Sequence, residues 1–283
     1  MALILPSGPS WTYSTNNLGA TPSTSTFGVN VTSGTGNSDG TAVTLLSALT
    51  HDVELIEIFT GEFSTSGDDS ATLMDILYDP AGGSSWQTLI SDLIVGYSTS
   101  QASLTRLDVV GFAFPLWIPA GASIGAQARS ASSSSQTGGV MVFAKGGNKN
   151  PASWWAGQGV ESIGINAASS QGTLITPDSS GAFSSWTDLG APTVTTYRGG
   201  AIQFGVQGVG NATNTRAFYV QFGIGSNQIG VDFRISVGST ESGTSLKPGL
   251  MFHDIPAGAQ LQARGTAHTT NTDQLGVAAY VVY

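Results

Sequence analysis

The sequence predicts an all-β protein: two tandem antiparallel β-sandwich units of jelly-roll-like type, about eight strands each, produced by internal duplication. Three observations carry this. Charged residues make up only 10% of the 283 positions, and the 38 glycines stand among abundant Ser and Thr. That composition disfavours helices, which draw on Lys and Glu, and suits short strands joined by turns. Hydrophobic residues nevertheless reach 40% and recur in alternating blocks, which excludes disorder. Finally, Ile118-Pro119-Ala120-Gly121-Ala122 returns unchanged as Ile255-Pro256-Ala257-Gly258-Ala259, 137 positions on. Phe27-Gly28-Val29-Asn30-Val31-Thr32-Ser33 matches Ile163-Gly164-Ile165-Asn166-Ala167-Ala168-Ser169 at an offset of 136. Two matches in one order at nearly one offset mark a duplicated unit.

The chain then divides into an N-terminal arm (1–26), a first sandwich (27–145), a linker (146–162) and a second sandwich (163–283). The arm holds Pro6, Pro9 and Pro22 and has no counterpart in the second copy, so it reads as extended chain. Leu3, Ile4, Leu5, Trp11 and Tyr13 are its candidate partner contacts, and the arm is expected to anchor the protein. Strands are expected near 27–32, 41–46, 53–60, 71–78, 86–95, 107–117, 122–130 and 139–145. In the second copy they fall near 163–168, 184–189, 200–207, 216–223, 229–237, 246–253, 259–265 and 275–283. Pro and Gly in each Ile-Pro-Ala-Gly-Ala suit a type I turn. After the turns, Ile124, Ala126, Leu261 and Ala263 alternate with polar residues and face the core, as do Val140, Val142, Val277 and Ala279 of the last strands. In the linker, Trp154 and Trp155 are expected to pack on the neighbouring units or to meet a partner.

A net charge of −9 without any Lys/Arg run argues against nucleic-acid binding. No apolar stretch is long enough to span a membrane, and Met1–Pro6 lacks the features of a signal peptide. Cysteine is absent, so no disulfide holds the fold. A low-charge, Ser/Thr/Gly-rich β composition without an export signal fits a virus particle, whose parts are made in the host cytoplasm and meet the exterior on lysis.

No enzyme is expected. Gly-x-Ser-x-Gly occurs at Gly36–Gly40 and Gly121–Gly125, but chance supplies such matches in this composition and neither precedes a helix. His51 stands by Asp52, Glu54 and Glu57, which a strand would send to opposite faces; His253 and Asp254 read as strand-end polar residues. Asp68 and Asp69 in a Ser/Thr/Gly loop form a weak candidate for Ca²⁺, without EF-hand spacing. No cofactor motif is present.

The segment Phe114-Pro115-Leu116-Trp117-Ile118-Pro119-Ala120-Gly121-Ala122-Ser123-Ile124-Gly125-Ala126-Gln127-Ala128, its echo around Ile255–Arg264, and the hairpin Met74–Trp86 resemble structural proteins of tailed-bacteriophage virions built from duplicated β-sandwiches. The resemblance implies head decoration, a head or tail fibre, or a tail adaptor. Other virion proteins and further copies of the chain in a homo-oligomer would be its partners, and no catalytic residue comes with it. Two alternatives stand beside it. One is a carbohydrate-binding module that meets a host-surface glycan through Trp86, Tyr97, Trp154, Trp155 or Tyr197. The other is a double jelly-roll capsid protein.

Overall fold

In the computed structural model, the described residues are 12–15, 28–61, 63, 72–83, 85–96, 110–146, 156–165, 172–207, 216–237, 254–267 and 274–283. Among them there is no helix. The first unit contributes β1 (Thr12–Thr15), β2 (Val29–Thr32), β3 (Val43–Leu46), β4 (Val53–Thr60), β5 (Thr72–Asp79), β6 (Gln87–Gly96), β7 (Val110–Phe114), β8 (Ser123–Ser130) and β9 (Thr137–Gly146). The second contributes β10 (Val160–Ile163), β11 (Thr173–Ile175), β12 (Thr187–Asp188), β13 (Gly200–Gln207), β14 (Arg216–Ile224), β15 (Asn227–Val237), β16 (Leu261–Ala267) and β17 (Gln274–Val282).

In the first unit, β2 and β1 lie end to end along one edge of β9, followed by β4 and β7; facing them is β3-β8-β5-β6. This is jelly-roll winding, a five-stranded and a four-stranded antiparallel layer over one core. The second unit repeats it among the described residues, apart from a counterpart of β7. β11 and β10 share one edge of β17, β13 takes the other, and the facing layer is β12-β16-β14-β15. The alternation that predicted the inward faces holds: Ile124, Ala126, Val140, Val142, Leu261, Ala263, Val277 and Ala279 are each at most 1% exposed.

The two Ile-Pro-Ala-Gly-Ala turns occupy equivalent connections. Ile118 exchanges backbone hydrogen bonds with Val53, and Ile255 does so with Tyr197. Leu49 bonds the first turn through Ala122 and Gly121, as Thr193 bonds the second through Ala259 and Gly258. The turn closes from the Pro carbonyl to the final Ala N–H, which puts Gly third, at φ +88° in Gly121 and +81° in Gly258. Glycine at positive φ in that place makes it a type II turn and not the type I turn expected from the sequence.

The structural register corrects the second sequence match. Val29 faces Val140 and Thr173 faces Val277, so the counterpart of β2 is β11, 144 positions on, and not 163–169. The glycines just before these strands, Gly28 and Gly172, agree with this register. Both have positive φ, and a Cβ on either would stand 2.6 Å or less from the backbone of the facing strand. Of the strand expected at 163–168, only Ile163 is strand, at the end of β10, and residues 166–171 lie outside the described residues. The strand expected at 246–253 lies outside them too.

Part of the arm also has a counterpart. Thr12–Thr15 pairs antiparallel with β9 as β10 pairs with β17, so this piece of residues 1–26 is an edge strand of the first sandwich. Its sequence, Thr-Tyr-Ser-Thr, is β-prone, and the backbone groups on the edge of β9 supply its partners.

The units are not joined by a linker alone. β10 meets β6 in parallel, with Val160 opposite Ile90, and one eight-stranded sheet runs through both. β17 serves two cores. Leu275, Val277, Ala279 and Val281 belong to the core of the second unit, and Ala278, Tyr280 and Val282 to that of the first.

Candidate functional site

The polar centre of the molecule lies where the two sandwiches meet. It begins with a bulge. Met74 pairs with Leu93 and Ile76 with Ile90, so β6 carries an extra residue, and Asp92 takes a positive φ of 57° there. The Asp92 N–H donates to Asp75 Oδ1 at 2.8 Å. Gln127 Nε2 donates to Asp75 Oδ2 at 3.3 Å. Burial pushes the Asp75 carboxyl above its ordinary value against these hydrogen bonds. Arg129 forms an ion pair with Asp92 and stands 3.6 Å from Asp39.

Asp92 then reaches the second unit. Its Oδ2 accepts the Ser162 hydroxyl of β10 at 3.1 Å, and its carbonyl accepts the Tyr280 hydroxyl of β17 at 3.2 Å. The Ile94 N–H donates to the same Tyr280 oxygen at 3.0 Å. Ser162 N–H donates to Ser91 Oγ at 3.1 Å. Phe112 and Phe114 meet the Tyr280 ring edge-on at 5.9 and 6.2 Å. Burial raises the Tyr280 phenol well above the ordinary range, so it stays protonated and can donate. Outside the sheet, Gly157 bonds the backbones of Pro115 and Trp117, and the Tyr197 hydroxyl donates to Glu161 within the second unit. This arrangement locks one sandwich against the other.

The second unit has a bulge at the corresponding step, unshared and larger, with two extra residues in β15 against one in β6. Val220 pairs with Phe233 and Phe222 with Ile229, with Gly230 at φ +74°. Gln221 stands where Asp75 stands and donates to Asp232 Oδ1 at 2.9 Å. Gln228 Nε2 donates to the same oxygen at 2.8 Å, and Arg264 Nε donates to Gln221 Oε1 at 2.8 Å. The Arg264 guanidinium lies over Trp186, 4.4 Å from its centroid.

No protein-family model and no curated protein matches the chain. Among solved structures, it is similar to the tandem CBM22 domains of Xyn10C from Paenibacillus barcinonensis, at 11% identity and TM-score 0.24, over 85% of this chain and 82% of that one. It is similar to the major capsid protein P2 of bacteriophage PM2, at 10% identity and TM-score 0.32, over 90% and 97%. It is also similar to a fucolectin from striped bass (Morone saxatilis) serum, at 11% identity and TM-score 0.20, over 86% and 81%.

Of the residues singled out in the sequence, Leu3, Ile4, Leu5, Trp11, Asp68, Asp69, Tyr97, Trp154, Trp155 and His253 lie outside the described residues. Tyr13 is in β1, opposite Lys145. Tyr197 is fully buried, which removes it as a glycan platform, because its hydroxyl and ring are already engaged by Glu161 and Tyr283. Trp86 is half-buried against Gly125, where a Cβ would stand 2.9 Å from its ring. His51 is buried and donates from Nε2 to the Ala144 carbonyl at 3.3 Å. Asp52 Oδ1 accepts the Ala120 N–H at 2.8 Å, and Glu57 pairs with Lys145, so these acids hold a turn and a strand pair. Ser123 is buried and accepts the Ala48 N–H. Among the described residues no group of three or more His, Asp and Glu could hold a metal ion. A gap in the second core, lined by Ile202, Phe222, Ile255 and Ala279 among others, holds about 10 Å³, the space of one water.

The sequence reading missed Asp92, Ser162 and Tyr280. The available signal was Val277-Ala278-Ala279-Tyr280-Val281-Val282, apolar at every position, which marks a strand buried on both faces.

Proposed function

We propose that the chain is a structural protein of a virus particle, of the shell, decoration, fibre or adaptor type, working through protein–protein contacts. One observation carries the reading: two jelly rolls are fused through one continuous sheet and sealed by the Asp92–Ser162–Tyr280 network. The seal commits buried Tyr280 and half-buried Asp92 and Ser162 to holding the halves in one orientation, which is what a load-carrying part needs. The low charge and the resemblance to duplicated β-sandwich proteins of tailed phages agree with it. The particle is assembled in the host cytoplasm under this reading. Quantitative mass spectrometry of purified particles tests it. Hundreds of copies per particle indicate shell or decoration, tens or fewer indicate neck, tail or fibre, and absence from washed particles overturns the proposal.

A second reading, a host-glycan binder, is favoured by Trp117, whose indole is 49% exposed beside the joint. Binding on a glycan array that is lost in Trp117→Ala would support it; an empty array would remove it.

A further inference from the structure

We infer that copies of this chain join head to tail, with β1 of one copy lying along the outer edge of β15 of the next, as β10 lies along β6 inside the chain. The inference rests on the reading of the protein as a part that works through protein contacts, and it names the partner as a second copy.

The argument is one of equivalent places. β1 holds in the first unit the place that β10 holds in the second. Thr15 faces Phe143 and Ser162 faces Tyr280, which are corresponding positions of β9 and β17. A hydroxyl residue, Thr15, therefore occupies the register position of Ser162, and Tyr13 that of Val160. β15 likewise holds the place of β6. Both carry a bulge at the same step of the pairing, of one extra residue in β6 and two in β15; a positive φ falls in each, at Asp92 and at Gly230, and each includes an aspartate, Asp92 and Asp232.

Within the chain, the β10 edge and the β6 edge have found each other. Among the described residues, no further strand is paired along the outer edge of β1 or of β15. The β15 edge presents Val231, 70% exposed, beside exposed Asp232 and Arg234. A bulge and charges commonly blunt such an edge, but β6 carries a bulge with Asp92 and is still paired by β10, so the β15 edge with its exposed Val can take a strand in the same way. The strand that the repeat offers is β1 of another copy. Such a joint uses two different surfaces, so it closes into a ring or continues as a filament.

The absence of native cysteine makes the test direct. Thr15→Cys and Val231→Cys are made in separate, differently tagged chains, mixed at micromolar concentration and mildly oxidised. Ser91→Cys with Ser162→Cys in one chain is the control, since these hydroxyls stand 3.3 Å apart across the internal joint. The expected product is a heterodimer of the two variants, and a ladder when one chain carries both changes. Val231→Lys, at an exposed position, should weaken self-association in sedimentation by about tenfold or more. Predominant homodimers, no cross-link while the control closes, or wild-type association of Val231→Lys would each overturn the joint. The two readings fail separately: the protein present in particles without the cross-link removes the joint alone, and the cross-link without particle incorporation removes the virion reading alone.

Discussion

Tyr280 and Asp92 lie 188 positions apart in the chain and 3.2 Å apart in the fold, the tyrosine hydroxyl donating to the aspartate carbonyl. The phenol oxygen also accepts the N–H of Ile94, so one hydroxyl ties two backbone groups of β6 to the last strand of the other sandwich. Tyr280 is buried and its bond from Ile94 is fully enclosed, where water competes least.

Tyr280→Phe keeps the ring packing on Phe112 and Phe114 and deletes both hydrogen bonds. The expected loss is about 1–3 kcal/mol, seen in calorimetry as a lower Tm. A Tm equal to wild type would show that the hydroxyl contributes nothing to the joint.

Gly121→Ala and Gly258→Ala test the equivalence of the two turns. At both sites the space for a Cβ is open and only the positive φ resists it. Each change should therefore cost about 1–2 kcal/mol, and by similar amounts. Chemical denaturation of the two variants checks this; a large effect at one site and none at the other would break the equivalence.

Ala126→Arg places a charge at a fully buried position of β8, opposite Val43 and Ile76. The expected cost is at least about 3 kcal/mol. Leu174→Arg, at an exposed position of β11, should stay within about 0.5 kcal/mol. Comparable thermal stability in the two variants would show that the assigned faces are wrong.

Asp75 gives the protein a pH dependence with a definite sign. Burial holds its carboxyl above 3.8, so the folded chain keeps this proton more firmly than the unfolded chain. The contribution is full below the ordinary carboxylate value and is lost as pH rises through the raised one. Asp75→Asn removes that slope, and the natural Gln221 at the corresponding place shows that the fold accepts a neutral amide there. Denaturation midpoints measured from acid to neutral pH should move in favour of the variant as pH rises. A constant difference between the two proteins would contradict the assignment.

Much of the fold was legible because it rests on local chemistry. Alternation marked β4 and β13 at their observed limits, since a half-buried strand must place apolar residues two apart. The repeated Pro-Ala-Gly marked equivalent turns, since the third place needs a residue that tolerates positive φ. The duplication itself could be read from the order and spacing of two weak matches, although one of them was aligned wrongly: Gly28 resembles Gly164 in sequence, but the strand register, Val29 opposite Val140 and Thr173 opposite Val277, picks out Gly172.

What the sequence by itself determined was composition-driven and periodic: an all-β chain, two units, and which residues of β8, β9, β16 and β17 turn inward. What only the tertiary structure decided was how the units share a sheet and what β1 does. β9 and β17 are equivalent strands, yet β9 ends with half-buried Lys145 paired to Glu57, while β17 is buried on both faces from Leu275 to Val282. An apolar run announces that both faces are covered but does not say by what. The cover, β6 with Asp92 and β10 with Ser162, comes from segments about 190 and 120 residues away. Such a contact leaves no local period, because its energy comes from removing water between surfaces that meet only after each sandwich has closed.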